Sequence, residues 1–436
     1  MQTEDKGSNS PQARRASGTY EQGYASGYGY GVREGLRTFG TSQELTSIII
    51  PTTNRLDLLM QCLDHIDRHT APPHEVIVVD NGSVDGTAEA VRRRKGVRLA
   101  VYPQNLGFAR AVNTGLMMAK GKTIVLLNND VLVTERWLDQ LHMCLREYPG
   151  AAAAGPVTNY ISGEQQIEVP YQDVADMPAF AAGHNHSDSL KWQETDRLVG
   201  FCVAFPRSTL DEVGYFDEGY EIGNFEDEDW VARIRLQGKK LVIARDTFVH
   251  HYGSMTMKSL GSEGFQEVNT RNHQFFSEKW GDLQALYTRM PAWRGERTLR
   301  ATDFFPTHVR VRDVNGGVHW LEHGVRYRVH SAGAPVTAPE SARLSVLDLV
   351  QLPAGPALEH PVGPPSGTEF SDGTVIASGG RWYQIDRGQR REIISEYALR
   401  AWGLAPLNAA FPEDAAAAYP EGLPILPPPR LVSEDL

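Results

Sequence analysis

Between residues 46 and 127 the sequence alternates short apolar runs with amphipathic stretches, and this alternation restricts the fold more than any other feature. The apolar runs, at 46–50, 75–79, 97–101 and 123–127, have the length and the Val and Ile content of buried strands. In the stretches between them, apolar residues recur three and four positions apart, which is typical of helices. Strands that alternate with helices predict an α/β fold, in which a sheet is covered by helices on both faces.

The length of 436 residues suits two or three domains, and changes in composition indicate where they divide. Residues 1–43 are rich in Gly and Tyr and poor in Val, Ile and Leu, which predicts a disordered leader. Residues 44–290 hold the alternating pattern, although it loosens between 151 and 200, where we expect long polar loops. From 300 to 436 we predict a β-rich C-terminal module.

The C-terminal module contains two similar units, at about 305–365 and 370–427, which predict a duplicated β-hairpin. Matching positions carry the same residue type: Gly324 and Gly388, Arg326 and Arg390, Ser331 and Ser395. The segments 360–363 and 419–422 also match. Aromatic and arginine side chains in the hairpins suit glycan binding, but cross-strand packing explains them as well.

Charge and cysteine content exclude several classes of protein. A net charge of −11 argues against a general nucleic-acid binder, so we predict no nucleic-acid partner. The three cysteines have no metal-ligand spacing and fit reduced thiols in a cytoplasmic protein. No apolar run reaches the length that spans a bilayer, and no signal-peptide pattern is evident. Peripheral membrane contact and homo-oligomer formation stay open.

Polar residues follow three of the predicted strands, at 51–55, 80–83 and 128–130. Each segment alone is compatible with a turn or a helix cap. Ligands of open α/β sheets bind at the carboxyl ends of the strands, so we expect the three segments to share one pocket. Their carboxylates, amides and backbone donors suit a nucleotide, with its base read by an Asp side chain and its diphosphate held through a divalent cation.

A second polar cluster places four carboxylates in consecutive positions, from Glu226 to Asp229, between Phe225 and Trp230. Such a cluster is costly to bury, because like charges repel and desolvation disfavours ionisation. A solvated first turn of a helix is the simpler interpretation, since acidic side chains favour that position. A catalytic acidic cluster is the alternative.

The segments 47–55, 75–87, 105–115, 126–130, 225–229 and 251–254, in this order, resemble the motifs of family 2 glycosyltransferases. The resemblance implies the GT-A fold, an α/β fold with a mixed, mostly parallel sheet flanked by helices. It also implies an inverting enzyme of rhamnosyltransferase or polysaccharide type. Such an enzyme moves a sugar from a UDP-, dTDP- or GDP-linked donor to a glycan, lipid-linked or peptide acceptor, as in cell wall or polysaccharide biosynthesis. A non-catalytic nucleotide-sugar or glycan-binding protein on the same fold is the alternative.

The resemblance also implies roles for single residues. The base-reading carboxylate would be Asp80, within a set of donor-binding residues: Pro51, Thr52, Asn54, Arg55, Asp80, Asn81, Gly107, Arg110, Asn129 and Asp130. Asp130 and His251 would bind Mg²⁺ or Mn²⁺, with His250 as the competing histidine. The chain departs from the family's Asp-x-Asp motif at Asn128.

The same resemblance divides the acidic cluster. Asp227 would be the catalytic base, and Glu226 would orient the acceptor or the base. Glu228 and Asp229 are expected to begin the following helix and to have a structural role.

Overall fold

The computed structural model describes residues 43–253, 261–330, 342–359, 370–407 and 415–436. Nearly all of the predicted leader, residue Ser254 of the last family motif, Ser331 and the segment 360–363 lie outside these ranges. Within them, no helix combines the length and the apolar character needed to cross a bilayer.

The first half of the main domain alternates strands and helices as the hydrophobic pattern predicts. The strands are β1 (Gln43–Thr52), β2 (His74–Asn81), β3 (Val97–Tyr102) and β4 (Gly121–Leu127). The helices are α1 (Leu56–His69), α2 (Thr87–Arg93) and α3 (Phe108–Met118). β1, β2 and β3 run parallel, so their carboxyl ends meet at one edge of the sheet.

The second half is more irregular. Its strands are β5 (Val131–Leu132), β6 (Ala151–Thr158), β7 (Trp192–Thr195), β8 (Cys202–Pro206) and β9 (Lys240–His251). Its helices are α4 (Trp137–Glu147), α5 (Met177–His184), α6 (Arg207–Val213), α7 (Glu226–Leu236), α8 (Gly261–Trp280) and α9 (Leu283–Arg294). The expectation of long loops between 151 and 200 is therefore wrong in part, because β6, α5 and β7 lie there.

The strands form one mixed sheet in the order β3-β2-β1-β4-β8-β6-β9-β5, with β7 paired to β9. β4 and β6 both run antiparallel to β8, and β6 and β9 are parallel. Successive residues of β1 face opposite sides of the sheet, so Ile49 packs in one core layer and Ile48 and Ile50 pack in the other. The predicted α/β architecture, a mixed sheet flanked by helices, is confirmed.

The C-terminal region consists of two three-stranded antiparallel sheets, each followed by a short helix. The first contains β10 (Val309–Arg312), β11 (Val318–Glu322) and β12 (Val325–Arg328), followed by α10 (Val346–Gln351). The second contains β13 (Val375–Ser378), β14 (Arg381–Asp386) and β15 (Gln389–Ile393), followed by α11 (Glu396–Ala401).

The two C-terminal sheets share the turn of their last hairpin. His323-Gly324 and Arg387-Gly388 all have positive φ values, between 51° and 76°. Two successive residues with positive φ define a tight hairpin turn whose twist matches that of the strands, and Gly is favoured there. The predicted match of Gly324 with Gly388 therefore corresponds to the same type of turn in both sheets.

Other matched positions differ from the sequence alignment. The serine that caps α11 is Ser395, but the serine that caps α10 is Ser345, not Ser331. The backbone of Arg390 bonds to Pro420 and Gly422, and the backbone of Arg326 bonds in the same way to 353 and 355. The structural partner of 420–422 is therefore 353–355, whereas the predicted partner, 360–363, lies outside the described residues.

The last residues of the sequence pack on the main domain. Leu431 and Leu436 are buried in the same core layer as Ile49. The Glu218 carboxylate, which is fully buried, accepts hydrogen bonds from the backbone N–H groups of Val432 and Ser433. The division into domains at 290–300 stays a prediction, and this segment joins its two sides.

Candidate active site

A cleft of about 970 Å³ lies at the carboxyl ends of β1, β2 and β4. It contains eight of the residues to which the sequence analysis assigned roles: Pro51, Thr52, Asn81, Asn129, Asp130, Glu226, Asp227 and His251. These residues come from five separate parts of the chain, between positions 51 and 251. The fold thus brings the strand-end segments and the acidic cluster into one cavity.

Asp130 and His251 meet in the floor of this cleft. The Nε2 atom of His251 lies 3.2 Å from Oδ1 of Asp130, and both side chains are almost fully buried. The Nδ1 atom of the same ring lies 2.8 Å from the carbonyl oxygen of Tyr160. Because a carbonyl oxygen only accepts hydrogen bonds, Nδ1 carries the ring hydrogen and Nε2 of the neutral ring presents a lone pair.

A lone pair of His251 therefore faces a carboxylate oxygen of Asp130. This contact lacks hydrogen-bond geometry, and among the described residues Nε2 has no hydrogen-bond partner. Two buried acceptors at this distance repel each other unless a proton or a cation lies between them. Imidazole and carboxylate are both ligands of divalent transition metal ions, so the pair fits such an ion.

His250 lies on the opposite face of β9, because neighbouring residues of a strand point in opposite directions. Its Nδ1 atom is 2.8 Å from the hydroxyl oxygen of Tyr171. Burial, together with the nearby ring of His251, lowers the pKa of His250 to about 4. Of the two histidines left open by the sequence, the structure places His251 in the cleft beside Asp130.

Asn129 and Asn128 stand beside Asp130. The side-chain amide of Asn129 donates a hydrogen bond of 2.7 Å to Oγ1 of Thr52, which ties the ends of β1 and β4 together. Asn128 also lines the cleft. An amide at this position can offer an oxygen but no charge, so Asp130 supplies the negative charge of this segment.

Asp80 is fully buried near the end of β2 and does not line the cleft, although the next residue, Asn81, does. Its Oδ1 atom accepts a hydrogen bond of 2.9 Å from the backbone N–H of Ser83. Its Oδ2 atom is buried and has no hydrogen-bond partner among the described residues. A buried carboxylate oxygen without a donor is costly, so this atom is the strongest candidate on β2 for an N–H group of a ligand.

Four other predicted donor-binding residues do not line the cleft. Asn54 accepts a hydrogen bond from the backbone of Val84, and Arg55 begins α1 in the left-handed conformation. The carbonyl oxygen of Gly107 accepts a hydrogen bond from the side chain of Asn81. Nε of Arg110 lies 3.9 Å from the buried carboxylate of Glu218. The contacts of Asn54 and Gly107 support the walls of the pocket.

Asp227 lies in the first turn of α7, across the cleft from β4. Its Oδ2 atom accepts a hydrogen bond of 3.1 Å from the backbone N–H of Gly200, and its Oδ1 atom accepts one of 2.9 Å from the N–H of Glu228. Two backbone donors therefore fix the orientation of the carboxylate.

Glu226 has a different environment from its neighbour. Only 6% of the residue is exposed, and no described residue forms a hydrogen bond with its Oε2 atom. Burial, together with the charge of Asp227, raises the pKa of Glu226 to about 8. At neutral pH Glu226 is therefore mostly protonated and can donate a hydrogen bond into the cleft.

The last carboxylate of the cluster, Asp229, is fully buried and faces away from solvent. It accepts hydrogen bonds from four side chains: Tyr220, Arg233, Lys279 and Trp280. Lys279 is fully buried as well and also donates to Asp217. The predicted structural role of Asp229 is thus fulfilled by a buried ionic network rather than by a helix cap.

Sequence reasoning missed the segment before the acidic cluster. Ile222, Gly223 and Asn224 line the cleft, and Ile222, Asn224 and Phe225 have positive φ values of 58°, 80° and 74°. Such values are unfavourable for Ile and Phe, and they are concentrated next to functional side chains in many proteins. The dipeptide Gly223-Asn224 was the available signal, because both residue types tolerate this conformation.

Residues 47–214 match the model of Glycosyl transferase family 2. Glycosyltransferase GlyG of Streptococcus pneumoniae is 26% identical over 211 residues, covering 47% of this chain and 69% of that protein. Glycosyltransferase AglE of Haloferax volcanii is 32% identical over 212 residues, covering 47% and 66%. The N-acetylglucosaminyl-diphospho-decaprenol L-rhamnosyltransferase of Mycobacterium tuberculosis is 27% identical over 214 residues, covering 42% and 68%.

The part of the chain from 47 to 214 thus matches glycosyl transferase family 2, and the predicted class of enzyme, a glycosyltransferase, is confirmed. Each of the three relatives matches less than half of this chain. The match to the family model ends at residue 214, before α7 and its carboxylates begin at Glu226.

Proposed function

We propose that this protein is an inverting glycosyltransferase that uses a nucleoside diphosphate-linked sugar and Asp227 as its catalytic base. One observation carries the proposal. A single cleft contains the oriented carboxylate of Asp227 and the buried pair of Asp130 and His251. An acceptor and a donor diphosphate can therefore be held in the same cavity.

Asp227 would remove the proton from an acceptor hydroxyl as its oxygen attacks the anomeric carbon of the donor. The bond from that carbon to the diphosphate breaks as the new glycosidic bond forms, so the anomeric configuration inverts. Protonated Glu226 would donate a hydrogen bond to the acceptor or to the donor sugar. No covalent enzyme intermediate is required.

Asp130 and His251 would hold Mg²⁺ or Mn²⁺, which neutralises charge on the departing diphosphate. The oxygen of Asp80 that lacks a partner supports donors whose base presents a ring N–H, as uracil, thymine and guanine do. Pro51, Thr52 and Asn81 would form the adjacent pocket wall. UDP-, dTDP- and GDP-sugars are therefore the donors to test.

The acceptor is proposed only as a class: a hydroxyl of a glycan, a lipid-linked sugar or a peptide. The mycobacterial relative is named for a diphospho-decaprenol acceptor, which supports including lipid-linked sugars. The half-buried Asp227 lines an open cleft rather than a closed cavity, so an extended acceptor can reach it.

The test is an assay of nucleotide release from each donor with candidate glycan, lipid-linked and peptide acceptors. For the productive pair, Asp227→Asn should lower kcat by roughly 10²–10⁴-fold while the donor dissociation constant stays near that of the wild type. Glu228→Gln is the matched control, because this neighbour pairs with Arg197 at 3.2 Å and does not line the cleft. Undiminished turnover of Asp227→Asn would refute the assignment of the base.

A further inference from the structure

The junction between the two C-terminal sheets contains a second group of potential metal ligands, far along the chain from the cleft. Two histidines and a carboxylate come from the first unit: His308, Glu322 and His323. Two further carboxylates come from the second unit: Asp372 and Asp386. Nothing in the proposed transfer reaction uses these residues.

His323 lies at the centre of the junction. Its Nδ1 atom is 2.9 Å from Oδ1 of Asp386, and its Nε2 atom is 3.4 Å from Oδ2 of Asp372. When Nδ1 donates its hydrogen to Asp386, Nε2 of the neutral ring is left with a free lone pair. A histidine oriented by a carboxylate behind its ring is a recurrent arrangement in zinc sites.

His308, the residue before β10, lies close to the same point. Its Nδ1 atom is 3.0 Å from the hydroxyl oxygen of Thr307, and its Nε2 atom is 3.8 Å from Oε1 of Glu322. The ligand atoms of His308, Glu322 and His323 all lie within 4.8 Å of one another. A tetrahedral zinc ion with bonds of about 2.1 Å spaces its ligands by roughly 3.4 Å, so small side-chain shifts would complete the site.

The position of the cluster follows from the duplication. His308 and Glu322 occupy the same places in the first unit as Asp372 and Asp386 occupy in the second, separated by the interval that separates Gly324 from Gly388. The two units pack closely there, since a side chain at Gly373 would come within 2.6 Å of Cβ of His308. Equivalent turns thus face each other and concentrate their polar side chains at one point.

His308 and His323 lie beside each other, with ring centroids 5.4 Å apart, and both adjoin carboxylates of the junction. A single divalent ion accommodates both histidines in their neutral forms and a carboxylate as well. We propose that the junction binds a divalent transition metal ion, best matched by Zn²⁺, through His308, His323 and Glu322, with Asp372 placed to supply a fourth ligand.

The test measures zinc bound to the full chain after removal of metals with a chelator, addition of ZnCl₂ and desalting. An Asp130→Asn background removes a ligand from the proposed catalytic ion, so the remaining zinc reports the junction. This background should retain one zinc per chain, and adding His323→Gln should abolish it. His319→Gln is the control. This histidine belongs to the same unit but pairs with Asp313 at 3.0 Å, so the His319→Gln protein should retain its zinc.

A second, more conservative variant keeps the test decisive if His323→Gln fails to fold. Glu322→Gln keeps an oxygen for the indole N–H of Trp320, which donates to this side chain at 3.1 Å. It should bind zinc at least about tenfold more weakly and should lose the visible absorption of Co²⁺ bound in place of zinc. The proposal is overturned if the Asp130→Asn protein binds no zinc, or if His323→Gln and Glu322→Gln bind it as tightly as His319→Gln.

Discussion

Asp227 and Glu226, two neighbouring carboxylates of the cleft, have different surroundings. Two backbone N–H groups fix the orientation of the Asp227 carboxylate, whereas Glu226 is buried with one oxygen that has no hydrogen-bond partner among the described residues. Burial raises the pKa of Glu226 and so favours its neutral form. Residue type alone could not distinguish them, because both are acidic and adjacent in the sequence.

The free energy of unfolding should depend on pH through the ionisation of Glu226. Its pKa is raised from 4.5 to about 8 by folding, so this group's contribution to stability is complete below pH 4.5 and is lost as the pH rises through 8. Glu226→Gln cannot ionise and should lack this loss. Relative to the wild type, its free energy of unfolding in urea should therefore increase by a few kcal/mol from low to high pH.

The control for this measurement is Glu221→Gln, which changes an exposed carboxylate of the preceding loop. Its free energy of unfolding should follow the wild-type pH dependence. Parallel curves for the wild type and Glu226→Gln would contradict the assignment of a neutral Glu226.

The metal dependence of transfer should separate the two adjacent histidines. His251→Gln removes the ring nitrogen that faces Asp130, so the Mn²⁺ concentration for half-maximal activity should rise at least about tenfold. His250→Gln changes a ring on the other face of β9 and should leave this concentration unchanged. Equal effects of the two substitutions in a metal titration of activity would argue against His251 as a ligand.

At the scale of elements, helix α7 is held in place by charges rather than by an apolar face alone. Asp229 and Arg233, one turn apart on α7, form a buried ion pair of 3.0 Å. Lys279, near the end of α8, pairs with Asp229 and with Asp217. Two positive and two negative side chains thus lie together, and each has a partner of opposite charge.

Removing the lysine should be far more damaging than removing an exposed one. Lys279→Met leaves Asp217 and Asp229 with one buried positive charge between them, so it should lower the free energy of unfolding by about 3–5 kcal/mol. Lys122→Met breaks an exposed pair with Glu44 and should cost about 0–1 kcal/mol. Chemical unfolding of both variants measures the difference, and similar small losses would show that the network contributes little.

The elements that the sequence predicted best are those with a continuous hydrophobic pattern. β1 and β2 are nearly all Ile and Val where they are buried, so their type and position were evident. β6 was missed because it begins with four alanines, which have low strand propensity and little apolar surface. Its place in the centre of the sheet, beside β8 and β9, comes from tertiary packing that no local pattern records.

The same distinction applies to the site. Asp130 and Asp227 were found because each lies in a short motif with a known place in the family. Lys279 was not found, since it is 50 residues from Asp229 and nothing near it in the sequence marks it as buried. Contacts between distant segments are made by the fold, and a single sequence carries no direct signal for them.

At the scale of the whole molecule, residues near the end of the sequence complete the core of the main domain. Leu431 packs in the core layer that also contains Ile49 and Trp230. The adjacent Val432 is 41% exposed. The stability of the glycosyltransferase domain should therefore depend on a segment that follows both C-terminal sheets.

This dependence can be measured with two neighbouring substitutions. Leu431→Ala should reduce the free energy of unfolding by about 2–3 kcal/mol, because it leaves a cavity in the core. Val432→Ala should change it by less than about 0.5 kcal/mol, because that residue is exposed and is not part of the buried core. Equal values from urea unfolding would show that the segment does not contribute to the core of the main domain.

The network around Asp229 has a practical consequence for enzyme engineering. A chimera that exchanges only the family-matched segment, 47–214, with a relative would replace the donor side and keep the helix with Asp227. Asp217, Asp229 and Lys279 all lie beyond residue 214. The chimera would therefore retain the charge network of this protein unchanged. A crossover just before Asp217 would therefore test whether the proposed donor side and the proposed base can be recombined, with the hydrogen bond from Gly200 to Asp227 as the contact that must re-form across the junction.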